Sequence, residues 1–479
     1  MTKSTKPKFY ITAAIPYVNA APHIGHALEF IQTNTIARYH RLLGEEVLSL
    51  SGADENALKN VQAAEAAGVP IQQFVDTNAD NFQDLAIKLN AEFTVWQKGS
   101  SPDHFKSSQH LWQLCDQAED IYKKSYTGLY CLGCEAFYSP DELDANGECP
   151  EHPGKKLEEV TEENYFFKLS RYQDQLLTLI ESGSVTITPE FRKNEIISFL
   201  KSGLKDISIS RSNQRARDWG VPVPDDDTQR IYVWFDALNI YQSGIGFGTD
   251  DDKYQKWWPA DLHVIGKGII RFHAVYWLAF LLSAGLKLPR GIFVHEYFTV
   301  DGQKMSKTIG NVYNPIPILD KLGTDPLRYY CLAKINPFSD GDFSEDKLIA
   351  AYNSDLANGL GNLVSRVATL CAKSGIEFVP DPPSQLRHQV KHNLDQFRFD
   401  LALADIWSRI SAADQLIEQE KPWQLSGDDL KRVLTTLVAH IRQIAFELQP
   451  FLPDTADKIA KHYHGPKIEK IEPLFPRLK

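Results

Sequence analysis

Two short basic motifs stand far apart in this chain: Pro22-His23-Ile24-Gly25-His26 near its start and Lys304-Met305-Ser306-Lys307-Thr308 well past its middle. The first follows an apolar run, Phe9-Tyr10-Ile11-Thr12-Ala13-Ala14-Ile15, that reads as a buried strand, and it opens a helical pattern from Ala27 to Leu43. A strand, a tight turn and a helix N-terminus make an anion site, because unpaired backbone N–H groups and the helix dipole face one point. His23 and His26 share one face of that first turn, within reach of phosphate oxygens, and Gly25 lets the backbone come close. Lys304 and Lys307 lie in a loop between Asp301-Gly302-Gln303 and Ile309-Gly310-Asn311, where ammonium groups can close over a triphosphate. Each motif has a plainer reading alone, a metal fragment or surface histidines for the first and a solvated loop for the second. Their conjunction points to a triphosphate site.

A second cluster carries metal chemistry. Cys131-Leu132-Gly133-Cys134 and Cys149-Pro150-Glu151-His152 are joined by a polar, turn-rich segment, and together offer three thiolates and one imidazole. That donor set fits one closed tetrahedral zinc site with no open position, hence a structural ion. Cys115, Cys331 and Cys371 have no such partners and read as core.

The paired motifs resemble the "HIGH" and "KMSKS" elements of class I aminoacyl-tRNA synthetases. Further segments narrow the resemblance to the methionyl-tRNA synthetases: Ala14-Ile15-Pro16-Tyr17-Val18-Asn19, Ser51-Gly52-Ala53-Asp54-Glu55-Asn56, Glu163-Asn164-Tyr165-Phe166-Phe167, Ile209-Ser210-Arg211 with Trp219-Gly220-Val221-Pro222, and Tyr232-Val233-Trp234-Phe235-Asp236-Ala237. It extends over nearly the whole chain, and the single zinc knuckle is similar to the one-zinc bacterial type.

The resemblance implies ATP-dependent activation of L-methionine and its transfer to the terminal adenosine of tRNA(Met), with magnesium accompanying ATP. It assigns catalysis to His23, His26, Lys304 and Lys307, and adds Asn19, Gly25 and Ser306 to the nucleotide contacts. Asp54, after an apolar strand from Val47 to Leu50, matches the carboxylate that binds the methionine ammonium. Ala14, Ile15, Tyr17, Trp234, Ala237, Leu238, Tyr241, Ile269 and His273 match the rest of the methionine pocket, soft walls suited to a thioether. Tyr17 and His273 are expected to give hydrogen bonds near the sulfur. Anticodon contacts fall on Asn362 and Arg366, with Trp423 as a stacking platform. A monomer is expected, since the chain ends at Lys479 without a further domain of appreciable length.

These residues need elements to hold them. With 479 residues, 43% of them apolar, the chain should fold as about two to four domains with real cores. The fold class expected is α/β, a doubly wound parallel-sheet (Rossmann-like) catalytic domain with a zinc-binding insertion, followed by an all-α helical bundle. Boundaries are placed at 1–118 and 225–300 for the two catalytic halves, 119–224 for the insertion, 301–348 for a linker module with the lysine loop, and 349–479 for the bundle. Leu356, Leu360, Leu363, Val364 and Val367 form its first apolar stripe, while Asn358, Asn362 and Arg366 recur on a polar row that can meet splayed bases.

A net charge of −11 argues against indiscriminate nucleic-acid binding and confines RNA contacts to local patches. The stretch Lys201, Lys205, Arg211, Arg215 and Arg217 is one such patch, read either as a guide for the tRNA acceptor end or as a solvated charge run. No signal-like N-terminal run is present, and the apolar run Val275–Ala284 is too short for a bilayer, so a cytosolic enzyme is expected.

Three positions depart from the family pattern. Asp-Glu-His-Gly is Asp54-Glu55-Asn56-Ala57 here, Gly-Lys-Asp is Gly266-Lys267-Gly268, and the last serine of the lysine loop is Thr308. A sister class I synthetase for cysteine, or a non-catalytic tRNA-binding relative, are the competing readings.

Overall fold

The apolar run near the N-terminus forms the strand Lys8–Ala13, buried over its last four residues. It pairs in parallel with Glu46–Ala53 on one side and Leu262–Gly266 on the other, with Lys8 opposite Glu46 and Ile11 opposite Leu262. Val95–Lys98 extends the sheet beyond Glu46–Ala53; Gly291–His295 and then Thr186–Thr188 extend it beyond Leu262–Gly266, every pairing parallel. Leu262–Gly266 and Gly291–His295 are buried at every position, as strands covered on both faces must be. Strand order therefore reverses about Lys8–Ala13, and the crevice beyond its C-terminal end is where such sheets hold ligands.

The computed structural model describes residues 6–131, 136–138, 143–150, 154, 157–305 and 310–478. Their chain divides into two compact units, one of Met1–Pro22, Glu45–Ile87 and Glu92–His295, the other of His23–Gly44, Lys88–Ala91 and Glu296–Lys479.

In the first unit, the stretch read as an insertion builds a second, antiparallel sheet around the long pair Ile121–Cys131 and Glu158–Phe167, flanked by Ala136–Tyr138 and Ile207–Ser208. The same stretch supplies the edge strand Thr186–Thr188 of the main sheet.

The second unit holds the helix Ile24–Leu42, whose first turn carries the histidines. Arg328, fully buried, pins that helix within its unit: Nη1 donates to Asn34 Oδ1 at 3.0 Å, Nε to Phe451 O at 2.7 Å and Nη2 to Pro450 O at 3.0 Å. Beyond it the unit is largely helical, with Phe399–Glu420, Gly427–Leu448 and Pro453–His462 the main bundle members after Asn362–Ser374. The apolar stripe Leu356, Leu360, Leu363, Val364 and Val367 is fully buried. Among the described residues no helix is long and apolar enough to cross a membrane.

Candidate active site

In the first unit, the ends of Lys8–Ala13 and Glu46–Ala53 come together beside Leu262–Gly266. The chain leaving Lys8–Ala13 is held by Ala14 N donating to Val264 O at 3.0 Å, and Ser51 Oγ donates to Ala14 O at 3.2 Å. Tyr17 then forms an isolated parallel bridge with Asp54, whose N–H donates to Pro16 O at 2.9 Å. Asp54 is 3% exposed, a carboxylate at the C-terminal end of a central strand rather than an exposed strand-end residue.

Opposite lies an aromatic wall. The Trp234 ring meets Tyr17 edge to face, 6.1 Å between centroids, and stacks flat on Phe272 at 3.7 Å with 3° between planes. His273 approaches the same indole at 6.5 Å, and Tyr241 lies 5.7 Å from His273. Ala14, Trp234, Ala237, Leu238, Tyr241 and His273 are buried, whereas Ile15, Tyr17 and Ile269 are half-buried. Phe272 is a pocket residue that sequence reasoning missed; its only signal is its place beside His273.

Both ring nitrogens of His273 are engaged. His273 Nδ1 lies 3.0 Å from Ile269 O, and a carbonyl only accepts, so Nδ1 carries the hydrogen. Nε2 therefore accepts from the Tyr241 hydroxyl at 2.7 Å. Burial pushes the His273 pKa down to about 4, so the ring is neutral at physiological pH and has no proton left for a thioether. Its role in this arrangement is to fix Tyr241.

The second unit holds the histidine motif and the described part of the lysine motif, Lys304 and Met305. His23 is the N-cap of Ile24–Leu42 and forms a reciprocal capping box with His26: Gly25 N donates to His23 Nδ1 and His23 N donates to His26 Nδ1, both at 3.1 Å. The rings stack at 3.8 Å. Ile24 N donates to Tyr313 O at 3.0 Å and His26 N to His23 O at 2.9 Å. The first-turn amides are thus engaged, unlike the open amide nest expected from the sequence. Because each Nδ1 accepts, each neutral imidazole holds its hydrogen on Nε2.

A Cβ at Gly25 would lie 3.0 Å from His23 Cε1 and 3.4 Å from Met305 Cε, so glycine there admits both the tucked imidazole and the lysine-loop methionine. Lys304 ends the short strand Gln303–Lys304, paired antiparallel with Phe298–Val300 through a turn in which Asp301 and Gly302 adopt positive φ. Gly302 N donates to Asp342 Oδ1 at 2.7 Å, anchoring that turn. Ser306, Lys307 and Thr308 lie outside the described residues. Asn19 is half-buried in the segment after the first strand.

The zinc set is partly described. Cys131 closes the strand Ile121–Cys131 and Cys149 follows a turn in which Asp144 Oδ1 accepts from Asn146 N at 2.8 Å and Glu148 N at 2.9 Å; both cysteines are buried. Cys134 and His152 lie outside the described residues. Cys115, Cys331 and Cys371 are buried, and burial pushes each thiol up to about 12.

The basic stretch divides. Lys201 pairs with Glu181 at 2.9 Å, Arg215 with Glu158 at 3.3 Å, and Arg217 with Glu65. Lys205 and Arg211 instead line a cavity of about 810 Å³, joined there by Lys124, Arg271, Tyr122 and Phe166. Farther along, Asn358 and Asn362 are exposed, and Arg366 bonds Glu418 at 2.6 Å while its guanidinium sits 5.6 Å from the Trp423 ring, itself 53% exposed.

A parallel-sheet unit with a buried carboxylate and an aromatic wall at its switch point, together with a histidine-capped helix, has parts that an amino-acid-activating enzyme of class I needs. A family model described as tRNA synthetases class I (M) matches residues 9–159 and 152–368. The methionine-tRNA ligase of Rhizobium meliloti (strain 1021) is 39% identical over 513 residues, covering 99% of each chain. That of Mycobacterium tuberculosis (strain ATCC 25618 / H37Rv) is 40% identical over 474 residues, 94% of this chain and 91% of the other. The structure of M. tuberculosis methionyl-tRNA synthetase in complex with methionyl-adenylate superposes with a TM-score of 0.90 at 38% identity, covering 98% of this chain and all of that one. The chain belongs to the class I (M) tRNA synthetases.

Proposed function

We infer that the protein activates L-methionine with ATP, releasing pyrophosphate, and then transfers methionine from the adenylate to the terminal adenosine of tRNA(Met). The observation that carries this is the pocket itself, with buried Asp54 beside Tyr17 at one end and the stacked Trp234–Phe272 pair at the other. Such a pocket accepts a cation at a fixed distance from a soft apolar group, as methionine presents them.

In the first step the methionine carboxylate attacks the α-phosphorus and the bond to pyrophosphate breaks. The step needs in-line placement and neutralised charge more than acid–base help, so no general base is assigned. His23 and His26 would donate from Nε2 to phosphate oxygens, with Lys304 and Lys307 facing the departing pyrophosphate. Magnesium arriving with ATP would supply further charge neutralisation.

Zinc is proposed at Cys131, Cys134, Cys149 and His152; the buried thiols of Cys131 and Cys149, one at a strand end and one after an Asx turn, support a structural ion there. The anticodon set is proposed as Asn358, Asn362, Arg366 and Trp423, supported by the exposed indole held beside a guanidinium.

ATP–pyrophosphate exchange measured with each amino acid in turn tests the reading. Exchange driven by methionine is expected. Exchange with cysteine alone, or with none, would overturn it.

A further inference from the structure

A buried polar cluster adjoins the proposed methionine pocket. Its centre is Asp236, 1% exposed, on the short helix Val233–Leu238 that also carries Trp234, Ala237 and Leu238. Three side chains donate to its carboxylate: Ser108 Oγ at 2.7 Å and His104 Nε2 at 2.8 Å to Oδ1, and Asn56 Nδ2 at 2.7 Å to Oδ2. Asn56 Nδ2 spends its other hydrogen on Gly99 O at 2.8 Å. The cluster continues through His104 Nδ1 to Ser243 Oγ at 2.8 Å, and Asn239 Nδ2 donates to Ser107 Oγ at 2.9 Å.

Three pieces of chain meet on this one carboxylate: the helix Pro102–Gln117, the segment just past Asp54, and the helix bearing Trp234. The Trp234 helix has no side-chain cap, so Asp236 is its polar tether. A buried carboxylate is tolerated only when its lone pairs are met, so these partners hold their places together. Asn56 is also one of the chain's departures from the Asp-Glu-His-Gly pattern. Its amide nitrogen carries two hydrogens and bridges Gly99 O and Asp236 at once, which a single imidazole nitrogen cannot do.

We propose that Asp236 is a positioning residue for methionine selection. Through Asn56 it sets Asp54, and through its own helix it sets Trp234, fixing the span between the ammonium site and the thioether wall. This deepens the methionine reading of the pocket and rests on it.

The test is methionine-dependent ATP–pyrophosphate exchange by the full chain and its Asp236→Asn, Asn56→Ala and doubly substituted variants. A carboxamide at 236 keeps the shape but turns an N–H toward one of the three donors. The KM for methionine is expected to rise about tenfold or more in each single variant, while the KM for ATP stays within about twofold. The double variant should be no worse than Asp236→Asn alone, because removing the Asn56 amide relieves the donor–donor contact. If Asp236→Asn does not fold, Asn56→Ala decides by itself. A folded variant with an unchanged KM for methionine, or with both KM values raised in proportion, would overturn the proposal. Failure of the unsubstituted protein to use methionine would instead overturn the reading of the pocket.

Discussion

The proposed methionine pocket and the histidine-capped helix are built in opposite ways. Asp54, Trp234, Tyr241 and His273 are buried, and each is bound into a web of neighbours that sets its geometry before any substrate arrives. His23 and His26 are half-buried, and the local capping box holds them through their Nδ1 atoms. A pocket that must tell methionine from a shorter homologue has only about 1–3 kcal/mol per methylene to work with, so rigidity is what it can add. A phosphate site faces large charges and needs donors more than a tight fit. On the proposed reading selection rests on burial and rate on placed charge, and the two should fail separately.

The largest separation should come from Asp54→Asn. Removing the charge that faces the ammonium is expected to lower kcat/KM for methionine about a thousandfold, ~4 kcal/mol, while ATP binding persists. Exchange kinetics over a range of methionine concentrations measure it.

Acid should reach the pocket next. His273 has its pKa lowered from 6.5 to about 4, so between those values the unfolded chain takes up a proton that the folded chain refuses. Stability is then full above pH 6.5 and falls as pH drops toward 4, by about 3 kcal/mol from this group. Denaturant unfolding from pH 7 to pH 4 shows the slope, and a His273→Gln variant should flatten it.

On the other side of the comparison, His26→Glu keeps an acceptor for the His23 N–H, so the capping box and thermal stability should hold. It places a negative charge where phosphate oxygens are expected, and kcat should fall about a hundredfold with the KM for methionine unchanged. A loss of stability as large as a lost cap, about 1 kcal/mol, would mark the imidazole as structural instead.

Gly268→Asp should give the smallest effect. Restoring the Asp of the family's Gly-Lys-Asp pattern, a carboxylate able to accept from a ribose hydroxyl, is expected to lower the KM for ATP about threefold, the value of one modest hydrogen bond. An unchanged KM would count against that role.

Legibility in the sequence followed the same division. The strand before the histidines, the helix they open, the stripe from Leu356 to Val367 and the Asp54 strand end were all readable, because each is a local period or a turn at a strand end. Phe272 was not, since its stacking on Trp234 depends on a helix far along the chain. The engaged amides of the first helical turn were hidden as well, because one partner is Tyr313 O and others are the histidines themselves. Composition showed a basic run from Lys201 to Arg217, but only folding revealed that Glu181, Glu158 and Glu65 answer three of its charges and that Lys205 and Arg211 line a cavity. Asp236 sits two residues past Trp234, and nothing local marks it as the acceptor for Asn56, His104 and Ser108.

Equilibrium binding of methionine without ATP, followed by calorimetry on the unsubstituted protein and on the Asp54→Asn and His26→Glu variants, tests the division most directly. If the pocket is built in advance, the unsubstituted protein binds methionine alone, His26→Glu binds it with the same Kd, and Asp54→Asn does not bind it. A His26→Glu variant that loses methionine along with its rate would contradict the account.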